Sequence, residues 1–525
     1  MKKLLLTAAI LLHVALINAQ SIITVSGDIT SNTFWSNNNQ YILSGFVYVT
    51  ANAELTIEPG TIIKGEKASK GSLVICRGSK LFAQGTASLP IIFTSNEPIG
   101  TRTYGDWGGL IILGQAPVND PAGEKVIEGG LDPVKGLYGG TNAADNSGIL
   151  QFIRIEFPGI AFQPNNEING LTLGGVGNGT QIDHVQVSYS GDDAFECFGG
   201  TVNCKNLIAY RSLDDDFDTD FGYNGNMQFL IAFRDSNVAD VSGSNSFESD
   251  NDATGSMNLP YTAATYSNVT VIGPYQTANT SVNSNYKRGA HIRRASRSAI
   301  FNSVISGYPK GLLIDGAACE TNASNNDLEI KNSVLAGNID NFAVASGSIW
   351  DISAWYNTSS YGNSVLPLLS DCQFSDITSY SNPNCMPLIT SPLLNGASFV
   401  SPRINNPFFE VVSFKGAIGN IDWTSNWTNY APENSNYILS NNDLAGNNSI
   451  QVFPNPFNEQ LIIKGLIDSK NLILQIIDVS GKIVLQKNMN NVNSQQIIQT
   501  SNLSSGIYTL SLIGNDVNTK IKVVK

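Results

Sequence analysis

The sequence has little of what metal enzymes and catalytic triads most often use. Among 525 residues there are only three histidines, and the six cysteines form no C-x-x-C motif with a histidine partner. A zinc site or a histidine-based triad is therefore poorly supported. Charged residues make up only 14% of the chain, and the formal net charge is −13. This acidic balance argues against binding to nucleic acid or to anionic membranes.

Long apolar runs are also scarce. One such run, Leu4–Ile17, follows a lysine pair and ends shortly before Ala19. This arrangement is typical of a secretory signal peptide, so we predict that residues 1–19 are a leader cleaved after Ala19. As a membrane anchor the run is short, and His13 interrupts it. We find no later transmembrane segment.

Glycine and short strand-forming runs are abundant instead. The 48 glycines, together with many Asn and Ser residues, favour short strands joined by tight turns over helical bundles. Runs such as Leu55–Ile57, Leu73–Ile75 and Ile91–Phe93 alternate with turns that contain Gly, Pro or Ser. We therefore predict an all-β protein, with residues 119–148 as a Gly- and Asp-rich inserted loop.

One stretch, His184–Gly222, repeats itself when it is shifted by 22 residues. A short period with one apolar strand per repeat is the mark of a solenoid. Because the unit is rich in strand-forming residues, we predict coils of a right-handed parallel β-helix, that is, a pectin-lyase-like solenoid. The shift matches Val185 with Leu207, Asp192 and Asp193 with Asp214 and Asp215, Phe195 with Phe217, and Glu196 with Asp218.

The repeated acids predict a cation site. Stacked coils bring equivalent residues to the strand spacing of about 4.8 Å, where two carboxylates repel by about 1 kcal/mol even in water. Such a stack requires solvent, basic neighbours or a cation, and carboxylate-rich loops suit Ca²⁺. The spacing is not that of an EF-hand, and a solvated acidic face is the alternative. The candidate calcium ligands are Asp192, Asp193, Glu196, Asp214, Asp215, Asp216, Asp218 and Asp220.

Two further charged clusters follow the repeat. Residues 245–252 supply more acids about one coil later, and Lys287–Arg297 is strongly basic. Strand alternation puts Arg288 on one side of the chain and Arg293 on the other. A basic stripe beyond an acidic one could neutralise it through salt bridges, which we favour, or could bind an acidic sugar.

An enzymatic alternative rests on Ser190–Ala194. This S-G-D-D-A segment resembles the G-D-D segment of the polygalacturonase family, which implies that Asp192 and Asp193 work as acid and base in glycoside hydrolysis. The G-H-G and R-I-K motifs of that family are missing in order and in form. Polysaccharide lyases of this fold use Ca²⁺ with a Lys or Arg base, a part that Arg288 or Arg293 could take. The alternative function is therefore a lyase or hydrolase acting on acidic glycans.

Cysteines and aromatic residues predict two structural details. In an exported protein disulfides are permitted, and Cys372 and Cys385, which flank a loop, are the best pair; Cys197 and Cys204 are a second candidate pair. Phe and Trp residues within 408–428 predict a terminal cap over the apolar end of the last coil.

Asparagines predict a third detail. Asn268, Asn302 and Asn332 each begin a similar unit of aliphatic residues that ends in glycine. Stacking of such units brings the asparagines together, so side-chain ladders are expected along the solenoid. We interpret these residues as structural.

The body resembles a known group of proteins. The stretches SGDDAFECFGGT, DDDFDTDFGYNG and VSGSNSFESDNDATGS resemble those of a widespread, uncharacterised family of secreted Bacteroidota-type β-helix proteins. The resemblance spans residues 40–430 of this sequence. It implies the fold, and it implies no particular activity.

The C-terminal segment, 449–525, follows an Asn-rich linker at 434–448. Its alternating apolar strands with G-K and S-G turns predict a small antiparallel β-sandwich. It contains P-N-P at 454–456, D-x-x-G-K at 478–482 and L-x-x-G-x-Y at 503–508, and closely resembles the type A sorting domain of the type IX secretion system. The resemblance implies recognition by that secretion machinery, removal of the domain, and attachment to the cell surface or release.

These inferences predict a leader (1–19), a β-helix body with a terminal cap (20–433), a linker (434–448) and a sorting domain (449–525). We favour a non-catalytic adhesin or glycan-binding scaffold with calcium-stabilised acidic coils, displayed at the outer-membrane surface or released. The expected partners are the type IX machinery and glycans or other host or cell-surface polymers. Whether the body is an enzyme is left open, with a non-enzymatic role preferred.

Overall fold

A computed structural model describes residues 21–162, 167–277, 279–437, 451–454, 457–464, 472–478, 482–489, 495–513 and 518–525. They fall into two compact units, one ending at Tyr437 and one within residues 438–525. The predicted leader and most of the predicted linker lie outside the described residues. Among those described, no helix is both long and apolar enough to cross a membrane.

The first unit is built almost entirely of short strands. Its strands are β1 Ser21–Ile29, β2 Thr33–Trp35, β3 Asn39–Val49, β4 Glu54–Ile57, β5 Ile62–Gly65, β6 Ser72–Ile75, β7 Lys80–Gln84, β8 Ile91–Ser95, β9 Leu110–Leu113, β10 Lys125–Val126, β11 Leu137–Tyr138, β12 Gly148–Glu156, β13 Leu171–Gly174, β14 Gln181–Ser188, β15 Phe195–Phe198, β16 Asn203–Tyr210, β17 Phe217–Asp220, β18 Asn226–Phe233, β19 Asn245–Ser249, β20 Thr265–Ile272, β21 Arg288–Ile292, β22 Ala299–Phe301, β23 Val304–Ser306, β24 Lys310–Ile314, β25 Ile330–Lys331, β26 Val334–Ala336, β27 Asp340–Val344, β28 Ser364–Leu366, β29 Phe374–Asp376 and β30 Asn384–Pro387. Its helices are α1 Ala317–Ser324 and α2 Ile352–Tyr356, with 3₁₀ turns at Ser359–Tyr361, Leu369–Cys372, Pro392–Leu394 and Pro432–Asn434.

Twenty-six of these strands belong to one parallel sheet that winds around an axis, which confirms the predicted all-β fold and parallel β-helix. Each strand pairs with its equivalent in the next coil, and the 22-residue repeat sets the register. Phe195 pairs with Phe217 and Glu196 with Asp218 between β15 and β17. The core fills the inside of the coils with aliphatic and aromatic side chains.

One corner of each coil is a left-handed residue. Seven residues with φ between 49° and 62° occupy equivalent positions in successive coils, where the chain turns within or between strands. Asn tolerates this conformation because its short polar side chain forms local hydrogen bonds, whereas bulky residues adopt it at a cost in conformational free energy. These seven residues, which together we call the corner row, are Phe152, His184, Asn206, Phe229, Asn268, Asn302 and Asn332.

The segment 367–437, which we call the return segment, runs back over these corners from the last coils to the first. Near its middle the Asn268 side chain donates to the Phe414 carbonyl at 2.8 Å, and the Asn302 side chain donates to the Ser398 carbonyl at 3.2 Å. At its end the Gln40 side chain donates to the Tyr437 carbonyl. Asn268 and Asn302 also bond along the stack, since Gln228 Nε2 donates to Asn268 Oδ1 at 3.3 Å and Asn302 Nδ2 donates to Ser267 Oγ at 3.1 Å. These two corner asparagines therefore join neighbouring coils, as predicted for a ladder, and also hold the return segment.

The predicted terminal cap is corrected by this path. Trp427 lies against the rings of Phe152 and His184 in strands β12 and β14, far along the chain from the last coil. The last coil is instead covered by α2, where Tyr356 contacts the ring of Phe342 in β27. The aromatic residues of 408–428 pack on the side of the solenoid because the corner row offers them polar and apolar partners there.

The predicted disulfides are also corrected. All six cysteines are buried free thiols. Cys372 packs in a small cluster beside β26, whereas Cys385 belongs to the main core, so the two side chains occupy different environments. Cys197 and Cys204 point into the core from β15 and β16, where each serves as a small apolar residue.

The inserted segment 119–148 covers one outer face of the solenoid. It contains the short antiparallel pair β10–β11, whereas the sequence predicted only a loop. Its Ile127, Leu131 and Tyr138 pack on outward apolar residues of the coils, including Ile111 and Phe198. This segment shields the face that also carries the repeated acids.

The second unit consists of two antiparallel sheets, as predicted. The strands are β31 Gln451–Phe453, β32 Gln460–Lys464, β33 Leu472–Asp478, β34 Ile483–Met489, β35 Gln495–Gln499, β36 Ile507–Ile513 and β37 Asn518–Val524. One sheet has the order β31–β32–β35 and the other β34–β33–β36–β37. Leu461, Leu474 and Leu510 are among the residues that form its core.

Candidate functional site

The repeated acids form a row on the outside of the solenoid, which we call the acid face. Strand alternation sends the phenylalanines of β15, β17 and β19 inward, where neighbouring rings stack at 5.7 Å, and sends the residue after each of them outward. Register then places the outward residues in one row along four coils. In order, the row is Glu196, Asp218, Glu248 and His291.

Two carboxylate triads meet on the acid face. The first joins Asp192, Asp193 and Asp214, and the second joins Asp193, Glu196 and Asp218; in each triad one oxygen per residue lies within 4.8 Å of the others. This separation equals the span across a calcium ion whose ligands lie at about 2.4 Å. Five of the eight predicted ligands are thus brought together, and Asp193 is shared by both triads.

A buried amide borders the second triad. Asn169 stands one coil before Asp193 and is only 1% exposed. Its Nδ2 donates to Glu196, while its Oδ1 has no hydrogen-bond partner. The Oδ1 of Asp218, a member of the triad, is also buried without a partner. Unpaired buried oxygens cost free energy, and a cation bound by the triad would relieve that cost at Asp218.

The electrostatics of the acid face are unfavourable when its carboxyl groups are ionised. Burial raises the pKa of Asp193, Glu196 and Asp218 well above the usual range, and neighbouring carboxylates raise it further. The pKa of Asp214 rises to about 6 and that of Asp220 to about 8, again chiefly because of burial. A divalent cation would reverse this balance because it stabilises the ionised forms.

The structure places the other three predicted ligands elsewhere. The carboxylate of Asp215 accepts hydrogen bonds from the backbone and side chain of Asn245 in the next coil. Asp216 points into the core, where it forms a fully buried ion pair with Arg234 at 2.7 Å. Asp220 accepts from the backbone N–H of Phe221 at 2.6 Å. These three carboxylates therefore have partners within the protein.

Beyond the acids the row becomes basic. Arg293 donates from Nε to Asp250 at 2.7 Å and from its terminal nitrogen to Glu248. His291 lies between Glu248 and Asp315, with 3.3 Å from Nδ1 and 3.0 Å from Nε2 to their oxygens. The predicted neutralisation of acidic coils by the basic stripe therefore has a geometric basis in the described residues.

The two arginines of the enzymatic alternative lie at the two ends of strand β21, Arg288 as its first residue and Arg293 just beyond its last. Arg288 pairs in register with Asn245 of β19 and Lys310 of β24. Arg293 follows directly after the strand, on the row of Asp250. Asp192 and Asp193 lie three coils earlier, so the structure brings neither arginine into the triads.

Sequence reasoning missed two members of this region. Asn169 carries no charge, and only its position one repeat before Asp193 could have indicated it. Glu128 comes from the inserted segment, and burial together with the neighbouring carboxylate of Glu167 raises its pKa to about 7. Nothing in the local sequence connects Glu128 with coils more than 60 residues later.

Comparison with protein families gives two matches. Residues 27–364 match the model of a pectate-lyase-like β-helix domain. Residues 451–525 match the model of a secretion-system C-terminal sorting domain. No curated protein matches the chain.

Proposed function

Because the chain belongs to the pectate-lyase-like β-helix family and ends in a sorting domain for export through the type IX secretion system, we propose that it is a non-catalytic surface scaffold that binds glycans and is stiffened by calcium on its acid face. Residues 1–19 act as the leader in this proposal, and the sorting domain directs the body to the cell surface or the extracellular space. The function is carried by the rigid outer surface of the solenoid.

The observation that carries the calcium part is the second triad. Asp193, Glu196 and Asp218 offer ligand oxygens within 4.8 Å of one another, and the Oδ1 of Asp218 is buried without a hydrogen-bond partner. The three carboxylates would supply part of the six to eight oxygens that Ca²⁺ takes, and water can supply the rest. Since the three carboxylates come from two neighbouring coils, one ion would tie those coils together.

The engagement of the catalytic candidates supports a non-catalytic body. Asp193 accepts the backbone N–H of Asp215 at 2.8 Å, which uses one of its oxygens to join two coils. Arg293 holds Glu248 and Asp250 together. A lyase base or a hydrolase acid must instead be free to exchange a proton with substrate.

One observation favours the enzymatic alternative, a lyase or hydrolase acting on acidic glycans. His291 lies between two carboxylates beside Arg293, whose side chain is 27% exposed. Titratable groups gathered this closely are typical of active sites as well as of structural ion-pair networks. In this alternative Asp192, Asp193, Arg288 and Arg293 carry the chemistry.

Incubation with polysaccharides separates the two functions. The exported chain, residues 20–525, is mixed with pectin, alginate and neutral glycans in Ca²⁺ or in EDTA, and new reducing ends and unsaturated products are followed. The scaffold predicts no product with any glycan. Product formation that is lost in Asp192→Ala or Arg293→Ala would overturn it and establish the enzyme.

Calcium binding is tested separately by calorimetry and thermal unfolding. The proposal predicts a saturable heat of binding and a higher melting temperature in Ca²⁺ than in EDTA, with both effects lost in Asp218→Asn. The matched control is Asp340→Asn, which removes an exposed carboxylate on the last coil and should keep both effects. Equal melting temperatures for the unmodified chain in Ca²⁺ and EDTA would refute the calcium site.

A further inference from the structure

A groove lies away from the acid face, between the corner row and the return segment. It has a volume of about 450 Å³ and is lined by Lys205, Asn206, Phe229, Phe414, Asn420 and Trp423, among others. We call it the corner groove. Its volume is within the range of about 300–1,000 Å³ that is usual for ligand sites.

The aromatic side of the corner groove is rigid. The rings of Phe229 and Phe414 stack at 6.2 Å. Trp423 donates its indole N–H to the Ala417 carbonyl at 2.9 Å, so its polar edge is already satisfied. The same indole stacks on Trp427 at 6.4 Å and contacts the ring of His184. A held ring offers apolar area at little entropic cost to a ligand that stacks on it.

The polar side of the groove carries one charge of each sign. Lys205 and Glu410 both line it, and Lys205 also lies 5.0 Å from the ring of Phe408. The amides of Asn206 and Asn420 add neutral donors and acceptors. A lining with balanced charges, on a protein with a net charge of −13, disfavours a polyanion and suits an uncharged ligand rich in hydroxyl groups.

A second cavity continues along the return segment. It has a volume of about 480 Å³ and lies beside residues 422–430, the stretch that also supplies Trp423. Hydroxyl and amide side chains dominate its lining, including Ser381, Asn384, Ser425 and Asn426. Two cavities flanking one stretch suit a chain of several rings better than a single small molecule.

We propose that the corner groove binds a neutral polysaccharide, whose pyranose rings stack on Trp423 and whose hydroxyl groups bond to Lys205, Asn206 and Asn420. This inference rests on the proposed scaffold function and assigns its glycan site. The site is distinct from the acid face, because strands β16 and β18 present the groove at their corners whereas β15 and β17 carry the triads. Glycan binding should therefore persist when calcium is removed, as long as the fold is intact.

The test measures binding of the exported chain to neutral β-glucan, xylan and galactomannan, and to alginate and pectate, by affinity electrophoresis and calorimetry. Two variants alter the groove. Trp423→Ala removes the stacking face, and Ile421→Arg puts a bulky cation at an exposed position of the lining. The control is Ile389→Arg, which makes the same change at a residue that is 88% exposed, compared with 81% for Ile421, and that lies outside the groove lining.

The expected result is binding of at least one neutral glycan, weakened at least tenfold by both groove variants and unchanged by the control. Ile421→Arg should keep the melting temperature of the unmodified chain, so its effect does not depend on folding. Binding of a neutral glycan that survives Ile421→Arg would overturn the groove but leave the scaffold function standing. Binding of only acidic glycans would overturn the groove but leave the glycan-binding scaffold standing. Binding of no glycan would overturn the groove together with the glycan part of the proposed function.

Discussion

The acid face and the corner row present polar side chains in the same way and satisfy them differently. Beside the corner row the chain itself supplies the partners: Gln186 exchanges two hydrogen bonds of 2.9 Å with the backbone of Asn429, and Gln228 likewise bonds to the backbone of Glu410. On the acid face, Asp193, Glu196 and Asp218 meet mainly one another. A solenoid stacks equivalent residues of successive coils on one another. Like polar groups therefore meet along a row and need hydrogen-bond or charge partners that lie outside it.

The difference shows that the partner can come from the chain or from solution. A covalent partner such as the return segment is always present, and it makes the corner row independent of conditions. A dissolved partner such as Ca²⁺ makes the acid face depend on ion concentration and on pH. The following predictions distinguish polar side chains that have partners within the protein from carboxylates that need a bound ion.

The largest loss of stability is expected where a charged side chain and its partner are both buried in the core. Asp216→Asn leaves the guanidinium of Arg234 without its charge partner, and breaking a buried pair in this way costs about 3–5 kcal/mol. The loss should be the same in Ca²⁺ and in EDTA because both side chains are fully buried. Urea unfolding in both solutions measures it. A loss that appears only in Ca²⁺ would place Asp216 on the acid face and break the comparison.

A somewhat smaller loss is expected at the return segment. Arg403 donates to the carbonyl groups of Arg297 at 2.7 Å, Asp327 at 3.1 Å and Ala263 at 2.6 Å. Arg403→Met keeps much of the side-chain volume but orphans these acceptors, for a loss of about 2–3 kcal/mol. Limited proteolysis should then cut within 367–437 first. Unchanged stability and protection would mean that the return segment adds little to the corner row.

The pH dependence should distinguish the two surfaces next. Folded carboxyl groups with a raised pKa contribute stability at pH below the unfolded value of about 4, and this contribution is lost as pH rises through the folded value. In EDTA the free energy of unfolding should thus fall between pH 4 and 8. For Asp214, whose pKa rises to about 6, the full rise corresponds to about 3 kcal/mol, and we expect about 1–2 kcal/mol because the side chain is partly exposed and screened by solvent. Saturating Ca²⁺ should reverse the trend, since ionised ligands bind it better.

This trend has a matched control. Asp218→Asn should flatten the EDTA profile in part and should remove the opposing effect of Ca²⁺. A profile in EDTA that rises from pH 4 to 8 would contradict the direction assigned to the acid-face carboxyl groups.

The smallest effect is expected at the exposed end of the basic rows. Lys310 and Asp340 form an ion pair with side-chain exposures of 42% and 58%. Exposed pairs contribute little, so Lys310→Ala should change the free energy of unfolding by less than about 0.5 kcal/mol. Chemical unfolding at low and high salt measures this. A loss above 1 kcal/mol would show that this exposed ion pair stabilises the fold more than hydration of its separate charges does.

The coils and their register could be predicted from the sequence because they depend on local repetition. A shift of 22 residues aligned Glu196 with Asp218, and strand pairing follows the same shift. The same shift predicted that Asp192 and Asp193 stack near Asp214 and Asp215. It could not show that Asp216, in the turn before β17, points into the core to Arg234.

The return segment could not be predicted in the same way. Its partners lie far away in the chain, as with Gln186 and Asn429, which are 243 positions apart, and no periodicity links such residues. The aromatic residues near Trp427 indicated packing on the solenoid, but the surface predicted for them, the apolar end of the last coil, was wrong. Asn169 was missed because an uncharged amide does not stand out in an Asn-rich sequence.

The return segment also has a kinetic consequence. A solenoid whose coils contact only their neighbours can begin to fold anywhere and grow coil by coil. Here the first coils bond to the last residues of the body, through Gln40 and Tyr437, which are 397 positions apart. Contacts of such high sequence separation slow folding, because a long loop must close before they form. The body therefore reaches its final form only when the chain as far as Tyr437 is available to bond to the first coils.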